Sequence, residues 1–282
     1  MTPYVSHPGA QSRCSTCSGR GYVVRPRGEY AAAVLCECVG RCPSCQDTGW
    51  VSANDDPRGP KTRCTCQLVH RRRHLFDQAH IPARHAESTL SSFQIQGPSH
   101  QIAIAAAMGF LQNFRPDAPS RGLILYGEVG RGKTHLLCAI VRELVLEHGI
   151  SARFTEFSHL VADLKVAFER GAGAADVLSQ NVSVDVLAID ELGKGRNTEF
   201  EGTVVDEVVS RRYNANTTML GTTNYEPGPS TGHVTANLSR PGNTRPRLVD
   251  RLGDRVYSRI EDMCDFVAVQ GEDFRLRGRN RR

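Results

Sequence analysis

The chain has 282 residues, of which 39% are hydrophobic and 23% are charged, as is usual for a globular protein of one or two domains. This composition excludes global disorder, a collagen-like chain and a small disulfide-stapled scaffold. No apolar run approaches the roughly 18 residues that span a bilayer. Residues 1–4 also lack the basic and apolar pattern of a secretory signal, so we expect a cytoplasmic protein without membrane contact.

The net charge of +5 is unevenly distributed along the chain. Residues 1–84 carry twelve Lys or Arg against six Asp or Glu, whereas residues 85–282 carry 23 against 24. The basic excess therefore belongs to the N-terminal third, where cysteines that bind metal as thiolates would offset much of it.

Eight of the ten cysteines form a tandem repeat of the pattern C-x2-C-x18-C-x-C. The first copy consists of Cys14, Cys17, Cys36 and Cys38, and the second of Cys42, Cys45, Cys64 and Cys66. Every cysteine of the second copy follows its counterpart by 28 residues, as Trp50 follows Tyr22 and Gly49 follows Gly21. The glycines after each C-x2-C pair are typical of tight turns with positive φ.

Paired cysteines at this spacing predict two zinc-ribbon-like units that bind two Zn²⁺ per chain through eight thiolates. The alternative, a disulfide framework, is less compatible with a reducing cytosol. Ligation within each repeat is the simplest pairing, and ligation across the repeats stays open. A helix over residues 67–80, with three consecutive arginines, follows the last cysteine. The sequence thus divides into a zinc module (1–68), a linker segment (69–98) and a third domain (99–282).

Residues 127–134 (GEVGRGKT) match the phosphate-binding pattern G-x4-G-K-[ST] completely. A short apolar strand (122–126, GLILY) precedes them and a helical pattern (133–148) follows, which is the context that a P-loop requires. Backbone N–H groups and the helix N-terminus would surround the phosphates of ATP. Lys133 would reach the β- and γ-phosphates, and the hydroxyl of Thr134 would bind Mg²⁺.

Residues 184–191 (VDVLAIDE) predict a buried strand that ends in two carboxylates. Asp190 is expected to enter the Mg²⁺ shell, and Glu191 to act as the general base that polarises the attacking water. Residues 217–224 (TTMLGTTN) predict a further strand, which in a P-loop sheet would lie between the other two and bring Asn224 near the γ-phosphate. These motifs predict an α/β fold with a parallel sheet flanked by helices, and a Mg²⁺-dependent ATPase.

From about residue 80 onward the chain resembles the bacterial replicative helicase loaders of the DnaC and DnaI type, within the AAA+ ATPases. The transposition ATPases of the IstB type share most of these motifs. Besides the P-loop and the strand at residues 184–191, the resemblance rests on five segments: residues 81–93 (IPARHAESTLSSF), 190–193 (DELG), 211–214 (RRYN), 251–260 (RLGDRVYSRI) and 271–275 (GEDFR).

The resemblance implies further site residues. Residues 81–93 correspond to the segment that leads into the adenine pocket, Asn224 to sensor 1, and Arg259 to the arginine finger that acts on a neighbouring subunit. Arg255 is the alternative finger, and Arg275 is a candidate C-terminal sensor. The predicted nucleotide-binding residues are Gly127, Glu128, Val129, Gly130, Arg131, Gly132, Lys133, Thr134, His135, Asp190 and Arg255. The predicted catalytic residues are Lys133, Glu191, Asn224 and Arg259.

The function that the resemblance implies is ATP-dependent loading of the replicative DNA helicase, with self-association on single-stranded DNA and release upon hydrolysis. Loaders of the DnaI type carry an N-terminal metal-binding domain that docks the helicase, which favours this function. The alternatives are an IstB-like transposition ATPase that binds duplex DNA and recruits a transposase, and a zinc-dependent adaptor whose ATPase switches its affinity for a partner.

Three features outside these motifs complete the sequence-based expectations. Residues 226–246 are rich in Gly, Pro, Ser and Asn and predict an exposed, mobile insertion. The last eight residues form a basic tail. Residues 157–180 predict either a helical element that lines single-stranded DNA, with Lys165 and Arg170 on phosphates, or an amphipathic helix that buries Leu160, Val161, Leu164 and Phe168.

Overall fold

The structure, a computed structural model, describes residues 5–52, 58–170, 174–196, 198–228 and 246–277. Most of the insertion at 226–246 and the end of the basic tail therefore lie outside the described residues. Two compact units are present: residues 1–87 with 142–151, and residues 88–141 with 152–282. The domain limits that the sequence predicts remain predictions. No described helix is both long enough and apolar enough to cross a bilayer.

The described part of the first unit contains two antiparallel hairpins and helical segments. Its elements are β1 (Tyr22–Arg27), β2 (Tyr30–Leu35), β3 (Trp50–Ser52), β4 (Lys61–Arg63), α1 (Cys66–Gln78), a 3₁₀ turn (Ala83–His85) and a π-helical turn (Leu144–His148). Helix α1 packs against β2 through the backbone of Ala33. Asp77 accepts the Ala33 N–H at 3.0 Å, and Arg73 Nε donates to the Ala33 carbonyl at 2.8 Å.

The second unit is built on a five-stranded parallel sheet in the order β6-β7-β8-β5-β9. Its strands are β5 (Gly122–Tyr126), β6 (Ala152–Glu156), β7 (Val186–Asp190), β8 (Thr218–Thr223) and β9 (Cys264–Ala268). Its helices are α2 (Pro98–Asn113), α3 (Lys133–Glu143), α4 (Phe157–Glu169), α5 (Ala174–Val182), α6 (Glu199–Asn214), α7 (Leu248–Leu252), α8 (Asp254–Met263) and α9 (Phe274–Arg277). The last two residues of α3 belong to the first unit.

The order of the strands confirms the predicted α/β fold. Strand β8 lies between β5 and β7, as the sequence predicts. Because all strands are parallel, the residues that follow β5, β7 and β8 meet at one edge of the sheet, which is where such folds bind ligands. The strands β7 and β8 are buried along their whole length, which suits continuous apolar runs covered on both faces.

Helix α4 has the burial pattern of the amphipathic helix predicted within residues 157–180, except at one residue. Leu160 and Leu164 are buried in the core, and Val161 is partly buried. Phe168 is 61% exposed and meets the ring of Phe200 edge-on at 6.0 Å, so the expectation that Phe168 faces the core is wrong. The helix ends at Glu169, one residue later, so Phe168 lies in its last turn.

A fully buried arginine on α6 ties together the start of β7 and the start of β8. The guanidinium of Arg212 donates to four backbone carbonyls at 2.6–3.2 Å, those of Val182, Val184, Asp185 and Thr218. Burial lowers the pKa of Arg212 to about 10. The arginine therefore supplies hydrogen-bond donors to carbonyls at or next to the ends of α5, β7 and β8.

Replacing Arg212 with methionine is expected to lower the free energy of unfolding by at least about 3 kcal/mol, because several buried carbonyls lose their donors. Urea denaturation of both proteins measures the difference. The matched control is Arg211→Met, since the ion pair of Arg211 joins it to the exposed Glu207 on the same helix. That control should change the stability by less than about 0.5 kcal/mol. Equal losses in the two variants would contradict the role given to Arg212.

Candidate nucleotide site and zinc centres

The eight cysteines of the repeat form two separate groups of four. Within each group the sulfur atoms all lie within 4.8 Å of one another, and each group takes its members from a single repeat. The ten cysteines are free thiols rather than disulfides. The structure thus favours ligation within each repeat over crossed ligation.

The geometry of both groups fits zinc. Four sulfurs at 2.3 Å from a tetrahedral Zn²⁺ lie about 3.8 Å apart. The sulfur–sulfur distances are 3.8 Å for Cys14–Cys36 and 3.5 Å for Cys17–Cys38, and 3.7 and 3.6 Å for their counterparts in the second repeat. The N–H groups of Gly21 and Gly49 donate to the sulfurs of Cys17 and Cys45, at 3.3 and 3.4 Å. Both glycines have positive φ, 83° and 78°, as predicted.

Elemental analysis of the reduced protein is expected to give two zinc equivalents per chain, since each repeat supplies a complete set of four thiolates. The double variant Cys14→Ser with Cys36→Ser should retain one equivalent. Crossed ligation would instead damage both sites and leave none. Cys138→Ala is the matched control and should retain two, because Cys138 lies buried in α3 and belongs to neither group of four.

The P-loop connects β5 to α3 and is closed around the side chain of Lys133. Its ammonium group donates to the carbonyls of Gly127 and Glu128, both at 2.7 Å. Burial lowers the pKa of Lys133 to about 8, although the nearby carboxylates of Asp190 and Glu191 raise it. Phosphate oxygens placed in this loop would replace the carbonyls as partners and stabilise the ammonium form.

The two predicted magnesium ligands are brought together. Thr134 Oγ1 donates to both carboxylate oxygens of Asp190, at 3.0 and 3.1 Å. Thr222 Oγ1, on β8, donates to Asp190 Oδ1 at 2.5 Å. Asp190 is buried, and this burial raises the pKa of its carboxyl group. A hydroxyl and a carboxylate at this edge are oxygen donors of the kind that Mg²⁺ prefers.

Glu191 leaves the strand in a left-handed conformation, with φ of 56°. Its N–H donates to Thr222 Oγ1 at 3.0 Å. Its carboxylate forms an ion pair with Lys194, whose ammonium group also lies 3.5 Å from Glu156 Oε1. The carboxylate that would activate water is therefore held by a lysine three residues later.

Asn224 is the first residue after β8 and is exposed at the same edge of the sheet. His135, at the start of α3, contacts the end of the segment 81–93. Its Nε2 is 2.9 Å from the carbonyl of Thr89 and 3.3 Å from Ser92 Oγ. The rings of His135 and Phe93 are 5.5 Å apart, so the end of the segment 81–93 lies beside the P-loop helix.

Residues 271–275 (GEDFR), near the end of the described chain, contact the P-loop. The N–H of Phe274 donates to the Gly130 carbonyl at 3.0 Å, and its ring lies 6.0 Å from that of Phe93. The N–H of Arg275 donates to Asp273 Oδ1 at 2.8 Å, and the residue is exposed. Arg131, within the loop, pairs with Glu128 at 2.6 Å.

The two candidate finger arginines lie one turn apart on α8 and differ in exposure. Arg259 Nη1 is 2.9 Å from Asp206 Oδ1 and 2.6 Å from Ser210 Oγ, both on α6. Its side chain is 22% exposed. The side chain of Arg255 is 71% exposed and lies 3.6 Å from the same Asp206 oxygen. Arg259 must therefore exchange its partners on α6 before it can reach another subunit.

Sequence reasoning missed three side chains of this site: Thr222, Lys194 and Glu156. Thr222 lies inside a strand, where a threonine is unremarkable. Lys194 and Glu156 belong to different elements, and only the pairing of β6 with β7 sets Glu156 beside Asp190. A signal was available for Glu156 alone, because it is the last residue of β6, a strand of the parallel sheet.

A parallel sheet with a P-loop after one strand and paired acids after another defines a P-loop nucleotide-binding protein. The family model for the IstB-like ATP binding protein matches residues 67–282. The chain therefore belongs to this family of AAA+ ATPases.

Proteins named as helicase loaders are similar to part of this chain. The replicative helicase loader DnaC of Escherichia coli (strain K12) is 27% identical over 154 residues, which are 54% of this chain and 62% of that protein. A crystal structure of the DnaC helicase loader is 26% identical with a TM-score of 0.56, over 66% of this chain and 99% of the other. A DnaI structure, 22% identical with a TM-score of 0.52 over 68% and 93%, shares the fold.

Proposed function

We propose that this protein is an ATP-dependent loader of the replicative DNA helicase. The observation that carries the proposal is the similarity to DnaC helicase loaders in both sequence and structure, together with the complete set of P-loop and magnesium-site residues. The role would be exercised in the cytoplasm, on single-stranded DNA exposed at an origin or a fork.

In the proposed mechanism, some residues bind ATP and Mg²⁺, and others activate the attacking water. The P-loop amides and Lys133 hold the phosphates, and Thr134 with Asp190 would hold Mg²⁺, which when bound neutralises charge on the phosphates. Thr222 keeps the Asp190 carboxylate in place. Glu191 accepts a proton from water, which requires that its carboxylate turn away from Lys194.

Completion of the site is proposed to depend on a neighbouring subunit. Arg259, or Arg255 as the alternative, would contact the γ-phosphate across the interface between subunits, so that turnover follows assembly on single-stranded DNA. Asn224 would orient the water or the γ-phosphate from the end of β8. The two zinc ribbons would dock the helicase, and hydrolysis would release it.

A transfer assay tests the proposal with the full-length, zinc-loaded protein. Purified hexameric helicase from the same organism is offered to circular single-stranded DNA that carries single-strand binding protein, with and without ATP. We expect ATP-dependent transfer of the helicase onto the circle, and loss of transfer with Lys133→Ala. No transfer by the wild-type protein would overturn the proposal.

The family model keeps a transposition ATPase as the second candidate, since it is named for IstB. In that case the protein would assemble on duplex DNA and recruit a transposase, and the helicase would not respond to it. An adaptor that only switches partner affinity would bind the helicase in an ATP-dependent manner without moving it onto DNA.

A further inference from the structure

The second zinc ribbon presents one side of its hairpin to solvent. In the register of β3 and β4, Trp50 pairs with Arg63 and Ser52 pairs with Lys61. Because side chains alternate along a strand, these four residues share one side of the hairpin. We call them the Trp50 face. The opposite side is directed at the cysteines, against which Val51 packs.

The first repeat uses the equivalent position differently. Tyr22, the counterpart of Trp50, is 4% exposed, and its hydroxyl donates to Glu147 Oε1 at 3.1 Å. The partner strand β2 is covered by α1. Trp50 is 50% exposed. One copy of the repeat thus packs its aromatic residue inside its own unit, whereas the other leaves it accessible.

The surroundings of Trp50 are cationic and polar rather than apolar. Arg63 Cζ lies 6.0 Å from the centre of the indole ring, and Lys61 Nζ donates to Ser52 Oγ at 2.7 Å. All three residues of β4 are exposed. Asp47, three residues before Trp50 in the sequence, is engaged by Arg41 at 3.6 Å and by the N–H of Cys42 at 2.8 Å. Residues 53–57, which include Asp55 and Asp56, lie outside the described residues.

An exposed aromatic ring beside two cations suits one class of ligand. Unpaired bases stack on aromatic side chains irrespective of sequence, and adjacent phosphates pair with Lys or Arg. Duplex DNA offers no free base face to the indole. A hydrophobic protein surface would leave both cations of the Trp50 face without partners, which is costly when they are desolvated.

We propose that the Trp50 face binds single-stranded nucleic acid, with one base stacked on the indole and the flanking phosphates paired with Lys61 and Arg63. This binding site belongs to the zinc module and is separate from any contact that the ATPase unit makes with DNA. It does not depend on the helicase-loading role, because a protein of another function could use the same face.

The intrinsic fluorescence of the chain reports on the Trp50 face, since Trp50 is its single tryptophan. The zinc-loaded, full-length protein is titrated with a short oligothymidylate in the absence of nucleotide, and tryptophan emission is followed. We expect saturable quenching. In parallel, anisotropy of a labelled oligothymidylate should show that Trp50→Ala weakens binding by about 5- to 150-fold, the loss that one base–aromatic stack gives.

The cations are tested through the salt dependence of binding. Lys61→Ala with Arg63→Ala should lower the slope of log affinity against log salt by about 1.4, at about 0.7 for each phosphate contact on a single strand. The matched control removes two exposed arginines from the first hairpin, Arg25→Ala with Arg27→Ala, and should leave quenching and slope unchanged. Zinc content and circular dichroism establish that each variant is folded.

Two results would overturn the proposal. One is binding of the labelled oligothymidylate with no change in Trp50 emission and full affinity in Trp50→Ala. The other is a shift of Trp50 emission upon addition of the replicative helicase when oligothymidylate causes none, which would assign the face to a protein. Failure of helicase transfer with intact oligothymidylate quenching would contradict the loader role alone.

Discussion

Replacing Arg259 with alanine is expected to lower the rate of ATP hydrolysis by about 10³- to 10⁵-fold while ATP binding is retained. The physical reason is that an arginine from a neighbouring subunit neutralises charge on the transferred phosphoryl group, an effect of that size in other phosphoryl-transfer enzymes. The rate is measured as phosphate release at saturating ATP, and binding with a fluorescent ATP analogue.

The contacts of Arg259 within its own chain call for a control, because the same substitution removes the ion pair with Asp206 and the hydrogen bond with Ser210. Asp206→Ala breaks that ion pair and keeps the arginine. If Arg259 acts on the neighbour, Asp206→Ala should hydrolyse ATP at a rate near that of the wild type. An equal loss in both variants would show that Arg259 merely joins α6 to α8.

Mixing variants tests whether the arginine acts between subunits. Arg259→Ala and Lys133→Ala are each expected to be nearly inactive. Their mixture should regain activity, because a Lys133→Ala subunit can offer its arginine to a neighbour with an intact P-loop. If the mixture stays inactive although both variants assemble, Arg259 is not the finger. The more exposed Arg255 is then tested by the same mixing.

Replacing Glu191 with glutamine is expected to lower hydrolysis by about 10²- to 10⁴-fold and to leave ATP affinity close to that of the wild type. Glutamine keeps the shape of the side chain but accepts no proton from water. Lys133→Ala should instead abolish ATP binding, because it removes the positive charge that faces the phosphates. Single-turnover hydrolysis and equilibrium binding separate the two effects.

A variant of Lys194, the ion-pair partner of Glu191, provides the matched control for Glu191→Gln. Lys194→Met removes the ion pair and leaves the carboxylate in place. If Glu191 is the base, this variant should keep measurable turnover when Glu191→Gln has lost it. Hydrolysis by Glu191→Gln at the wild-type rate would show that another group activates the water.

The zinc ribbons and the P-loop could be predicted because their chemistry is local in sequence. Two thiolates separated by two residues, or a glycine-rich turn before a helix, present their ligands through backbone geometry that a few neighbouring residues determine. The position of β8 between β5 and β7 was also predicted, because such a strand takes that place in a P-loop sheet.

What the sequence by itself determined was therefore the class of fold, the P-loop, the candidate magnesium ligands and the two sets of four cysteines. Only the tertiary structure decided which side chains form hydrogen bonds and ion pairs with the predicted site residues. Thr222 meets Asp190, Lys194 lies between Glu191 and Glu156, and Asp206 takes up Arg259, all through contacts between different elements. It also decided that Tyr22 is buried whereas its counterpart Trp50 is exposed. The physical reason is that burial and pairing depend on what packs against a residue, and identical positions of a repeat acquire different neighbours when only one of them is covered by a helix.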